Sequence, residues 1–130
     1  MDANFNRVQE ILLDLDYNIV LEDIEDGVFV IEKLDEGINN LVISCSDPIV
    51  VIEQYLFTLK NESMEVYKSL LMKNRDIIHG AFVIDESGKG VIFRDTLQIE
   101  NIDRNELEGS INALSVLLSE FTDEIISFSK

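Results

Sequence analysis

The chain switches between two hydrophobic periods, and each switch marks the boundary of an element. Phe5, Val8, Leu12 and Leu15 recur at spacings of three and four, with Ile11 widening the stripe, which predicts an amphipathic helix from about Ala3 to Leu15. Tyr17-Asn18 breaks that period, and Ile19 to Ile24 reads as a strand. Asp26-Gly27 is a hairpin signal, because both central residues of a type I′ turn need positive φ. Val28 to Leu34 makes the returning strand, and Asp35-Glu36-Gly37 turns the chain into Ile38 to Cys45. Ser46-Asp47-Pro48 is the next break, since proline cannot continue a ladder and restricts Asp47 as well. Ile49 to Thr58 is rich in β-branched and aromatic residues and reads as a fourth strand, with a buried helix as the alternative. Asn61-Glu62-Ser63 caps a second helix to about Ile78, and Gly80 suits the left-handed residue that follows a helix end, beside His79. Gly80 to Ile84 and Val91 to Leu97 form a hairpin. Asp103 with Glu106 is a capping pair for one long helix, whose stripe runs from Leu107 through Ile111, Leu114, Leu118, Phe121 and Ile125 to Phe128.

The order is α-β-β-β-β-α-β-β-α. With all strand connections but one short, this predicts an α+β fold: three helices and a mainly antiparallel sheet of about five to six strands. One face of a half-solvated sheet should be polar at alternate positions. Here Phe29 and Ile31 alternate with Val28 and Val30, and Val51, Tyr55 and Phe57 oppose Val50, Ile52 and Leu56. Both faces are therefore apolar, which three helices cannot cover. The excess face implies a second copy or a bound segment, the alternative being a sheet that curls over itself.

The 130 residues suit a single domain spanning 1–130, and 46% apolar content is that of a globular chain. Charge changes the picture more. Twenty-six acidic against ten basic residues give a net −16, which disfavours nucleic acid and anionic membranes. The same charge serves solubility, or steers a basic protein segment toward the surface. Cys45 is the lone cysteine and cannot form an intrachain disulfide. The first residues lack a secretory pattern, and no apolar run approaches the roughly 20 residues of a membrane span. A soluble, cytoplasmic protein is expected.

Candidate chemistry is sparse. His79 is the one histidine, and a helix C-terminus gives it a structural reason, a partial positive charge against the dipole. One Cys and one His cannot close a zinc site. Asp14, Asp16, Asn18 and Glu25 match EF-hand ligand spacing, but Ile19 stands where the loop needs glycine, and the segment alternates like a strand. Gly88-Lys89-Gly90 lacks the earlier glycine and the Ser/Thr of a phosphate loop, so it reads as a turn. No catalytic residue, cofactor or metal site is assigned.

Three segments carry a family resemblance: Ile78-His79-Gly80-Ala81-Phe82-Val83-Ile84-Asp85, Gly90-Val91-Ile92-Phe93-Arg94-Asp95-Thr96-Leu97, and Ile102-Asp103-Arg104-Asn105-Glu106-Leu107. Together they resemble the YbjN-domain family, which is related in fold to the type III secretion chaperones of the Tir/CesT type. The better match covers about half the chain, from the second helix through the last; upstream it lies in element order, including Asp47-Pro48-Ile49. The resemblance implies a helix–sheet–helix sandwich, often dimeric, without enzymatic activity. Secretion chaperones of this fold hold an unfolded client segment over their surface. The leading expectation is thus a chaperone-like module that binds a protein or peptide through an apolar sheet face or a strand edge. Its candidate contacts are Val51, Tyr55 and Phe57 on the sheet, with Met64, Tyr67 and Met72 on the second helix, methionine being suited to adaptable contacts. The alternatives are a structural or regulatory homodimer without a client, and a small-molecule sensor.

Overall fold

A computed structural model describes residues 2–130. The elements are α1 (Asp2–Asp14), β1 (Asn18–Asp23), β2 (Val28–Lys33), a 3-10 turn (Leu34–Glu36), β3 (Ile38–Ser46), β4 (Ile49–Thr58), α2 (Met64–Asn74), β5 (Ala81–Ile84), β6 (Gly90–Gln98), α3 (Arg104–Glu120) and α4 (Thr122–Phe128). All six strands join one antiparallel sheet in the order β1-β2-β3-β4-β6-β5. The single crossover is forced by α2, which separates β4 from β5 and leaves β6 to pair with β4.

Register assigns the two faces. Phe29, Ile43, Ile52 and Asp95 stand opposite one another across β2, β3, β4 and β6, and so share a face. α1 packs on this row by stacking Phe5 on Phe29 with ring centroids 4.2 Å apart. α3 joins the same row where the Ser110 hydroxyl donates to Asp95 at 2.7 Å. Phe82 and Phe93 lie on that face too, and Phe121 covers Phe82 at 6.1 Å. The core is therefore one layer between helices and sheet, built from Val8, Leu12, Ile31, Leu41, Val50, Leu107, Ile111 and Leu114 among others. Helices gathered on one face correct the sandwich with helices on both sides, and they leave the second sheet face open.

Local chemistry explains the starts of helices. The Ser63 hydroxyl accepts from the Val66 N–H at 3.2 Å, and the Asp103 carboxylate accepts from the Glu106 N–H at 2.8 Å. Three expectations change. The long last helix is two: at Phe121 the backbone leaves helical geometry (φ −110°, ψ 20°), turning the ring onto Phe82. α2 stops at Asn74, not near Ile78, so His79 sits exposed in the loop rather than against a helix end. Gly80 is left-handed (φ +82°) at the residue before β5, and a Cβ would meet the Phe93 ring at 2.5 Å. The β1–β2 hairpin uses a longer turn in which Gly27, not Asp26, takes positive φ (+70°). Asp23 supports that turn by accepting from the Asp26 N–H at 3.1 Å.

Candidate functional site

The open face can be read strand by strand. Leu21, Val30, Val42, Glu53, Arg94 and Ala81 form one row across all six strands. Asp23, Val28, Ser44, Val51 and Thr96 form the next row. On the other side of the first row stand Tyr55, Ile92 and Val83. An ion pair between Arg94 and Glu53, 3.0 Å long, crosses the middle. It divides the face into a valine patch toward β1 and a smaller Tyr55-Ile92-Val83 patch toward β5. None of these valines is buried, whereas Phe29, Ile31, Ile43, Val50 and Ile52 beneath them are fully buried. The second apolar set is thus half-buried, with no helix packed over it.

The sequence-predicted contacts divide by position. Val51 is half-buried and Tyr55 is 54% exposed, both on the open face but on opposite sides of the Glu53–Arg94 pair. Phe57 is only 8% exposed and belongs to the core, which corrects its placement with Val51 and Tyr55. The cause is a β-bulge: Tyr55 pairs with Ile92, Phe57 pairs with Val91, and Leu56 between them has no partner. One extra residue therefore sends Phe57 through the sheet to the helix side. On α2, Met64 is 85% exposed and Met72 also faces outward, next to exposed Leu71. Tyr67 is half-buried and engaged, its hydroxyl donating to the Gly88 carbonyl at 2.7 Å. Burial, then the charge of Glu62, pushes this phenol up from its ordinary pKa. α2 packs beside Phe82 and Ile84, on the helix side of β5, so Met64 and Met72 do not extend the open sheet face.

β1 and β5 are the edge strands of the sheet, and they are finished differently. β5 is capped: the Asn74 amide donates to the Phe82 carbonyl at 3.2 Å and its oxygen accepts from the Phe82 N–H at 2.8 Å. For β1, no backbone hydrogen bond beyond the sheet occurs among the described residues, and Val20, Leu21 and Ile24 are exposed. The β1 end is also the acidic end, since no Lys or Arg lies between Arg7 and Lys33 while Glu22, Asp23, Glu25 and Asp26 cluster along the hairpin. Asn74 escaped the sequence reading because a polar residue near a helix end looks like any cap. Leu21, Val42 and Ile92 escaped because their face depends on register.

The shifted titratable groups owe their shifts to burial and to local hydrogen bonds. Burial pushes the Cys45 thiol up to about 11, away from nucleophilic character. Tyr17 is pushed up to about 12, by burial first and then by Glu36 and Glu108. Asp85 is held below the usual carboxylate range by the Ser87 hydroxyl, which donates at 2.6 Å, with backbone N–H groups of Gly90 and Ser87 adding to it. Those bonds close the β5–β6 hairpin around Asp85, so Gly88-Lys89 lies in the hairpin loop and Gly90 opens β6. Among the described residues, no cluster of His, Cys, Asp and Glu is arranged to hold a metal ion, and no helix is long and apolar enough to cross a membrane.

These features define the secretion-chaperone type of fold: an antiparallel sheet with helices on one face and an apolar face left open. The chain belongs to the CesT_Tir_1 family, whose model matches residues 1–130. No curated protein matches it. Among solved structures it is similar to YbjN from E. coli, at 12% identity over 92% of this chain and 91% of that one, with a TM-score of 0.69. It is equally similar to a chain of the HopA1-SchA chaperone-effector complex, at 13% identity over 95% and 98% of the two chains, with a TM-score of 0.68. At such identities the likeness establishes the fold.

Proposed function

We propose that this chain is a non-enzymatic, chaperone-like protein-binding module of the cytoplasm, and that it holds an extended polypeptide segment at the β1 end of its sheet. The observation that carries this reading is the valine patch of the open face, Val28, Val30, Val42 and Val51, which Leu21 continues to the uncapped edge of β1. An added strand would gain backbone hydrogen bonds along β1, and its alternate side chains would lie beside Leu21 and extend the apolar face. Membership of the CesT_Tir_1 family and likeness to a chain from a chaperone-effector complex support it. The surface charge argues against nucleic acid and anionic membranes as partners.

The test is co-purification from the source cell's lysate, with bound protein identified by mass spectrometry, followed by hydrogen exchange of the isolated complex. A partner segment that protects β1 amides and is lost on Val30→Asp supports the reading. A partner that protects only α2 or α3 amides overturns it.

A structural or regulatory homodimer is the second reading, favoured by the outward Met64, Leu71 and Met72 on α2. Light scattering decides it. A dimer that retains no partner and becomes monomeric on Met64→Asp with Met72→Asp places the function in self-association.

A further inference from the structure

A second concavity lies on the helix side, away from the sheet face. Residues 76–79, which link α2 to β5, face the outer surface of α3 across a groove of about 400 Å³. Leu117 forms its buried floor, and Ile77, Ala113 and Phe121 form half-buried walls. Ile78 stands on one lip at 90% exposure and Val116 on the other at 52%. Both are apolar groups held in water beside a cavity that could shelter them.

Gly109 lies at one end of this groove, within α3. Its φ is not positive, and a Cβ there would meet no atom within 4 Å. Nothing inside the chain requires glycine, yet glycine weakens a helix interior relative to alanine. What its absent side chain leaves is room for close approach from outside. Gly109, Ala113, Val116 and Glu120 run along α3 for roughly 16 Å at the rise of an α-helix, about three turns of a second helix laid alongside.

The rim selects the sign of the occupant. Asp76 and Glu120 border the groove, and neither joins an ion pair among the described residues. Nearby Glu124 is already matched, by Lys73 at 3.5 Å. Unmatched carboxylates around an apolar slot, on a chain of net charge −16, complement a cationic ligand.

We propose that this groove docks a basic amphipathic helix of a partner protein, with apolar side chains between Ile78 and Val116 and Lys or Arg beside Asp76 and Glu120. The site is separate from the β1 end and stands whether or not a client strand binds there.

The test uses the full chain and two synthetic helical peptides with the same leucine stripe, one flanked by lysines and one by glutamates. Titration followed by amide NMR is expected to show saturable binding of the lysine peptide, with shifts at Ile78, Gly109 and Val116. Asp76→Asn and Glu120→Gln should each weaken it about threefold at low salt, as exposed ion pairs do. Ile78→Asp should abolish it, and because Ile78 is exposed the variant should fold. Gly109→Leu should also abolish it by filling the groove, while leaving the melting temperature unchanged or raised. Equal binding of the glutamate peptide, shifts confined to the sheet face, or no saturation overturns the proposal. So does a fall in light-scattering mass on Ile78→Asp, which makes a second copy of the chain the occupant.

Discussion

At one end of the sheet β1 presents six residues with an unoccupied outer edge; at the other β5 presents four, and a side chain already pairs with them. Asn74 offers Phe82 one donor and one acceptor, the same two groups that a neighbouring peptide unit would offer. A carboxamide thus stands in for a strand and blunts the edge without lengthening the sheet. β1 is protected differently, by a bulge between Ile19 and Leu21 and by the carboxylates of Glu22 and Asp23. Those devices disfavour pairing with most strands while leaving the outer backbone groups of β1 without a backbone partner among the described residues. Edge chemistry, more than sheet length, decides where this fold can grow.

Each end also rests on a left-handed glycine pressed against a neighbour, which offers the strongest way to break the comparison. A Cβ on Gly27 would meet the Cys45 carbonyl at 2.5 Å, and one on Gly80 would meet the Phe93 ring at 2.5 Å. Gly27→Ala and Gly80→Ala should each cost about 3 kcal/mol, read by urea unfolding, and each should loosen amide protection first at its own end.

The next largest effect is alkaline and reports on the β1 end, because the Cys45 N–H donates to the Gly27 carbonyl at 2.7 Å. Folding keeps Cys45 protonated to about 11 instead of 9.0, and Tyr17 to about 12 instead of 10.0. The folded chain therefore holds more protons than the unfolded chain across that window, so stability falls as pH rises from about 9 to about 12. Cys45→Ala should flatten the part between about 9 and 11, a difference of up to about 2 kcal/mol in urea midpoints converted to free energy.

Asn74→Ala follows at about 1–2 kcal/mol, for two lost hydrogen bonds to a half-covered strand. It should also make light-scattering mass rise with concentration as β5 edges pair. A variant that stays as monodisperse as the parent would show that β5 needs no cap. Glu53→Gln should matter least, under about 1 kcal/mol, since its pair with Arg94 is solvent-exposed on the open face.

The features legible in sequence were those set within a few residues. Ser63 and Asp103 cap their helices through bonds to backbone three positions on. The two apolar sets of β2 showed that one sheet face lacked a cover, and Val51 and Tyr55 are indeed on that face. What was not legible depended on partners distant in sequence. The long apolar stripe after Asp103 continues through Phe121, yet the helix breaks there, with the Phe121 ring set against Phe82. Asp26-Gly27 suggested a tight turn, but the fit of Gly27 against Cys45 on β3 sets the geometry. Phe57 looked like a partner of Tyr55 because strict alternation was assumed through Leu56.

That unpaired leucine has an engineering consequence. A strand tolerates no ordinary single-residue deletion, because every later side chain then changes sides. Leu56 is an exception within β4. With it removed, Tyr55 and Phe57 become adjacent and occupy opposite faces by plain alternation, which is where they already stand. The inward Phe57–Val91 and outward Tyr55–Ile92 neighbours would persist, whereas deleting Val51 would invert one flank of the strand. A chain shortened by one residue at this point would accordingly keep Tyr55 and Phe57 on their present faces.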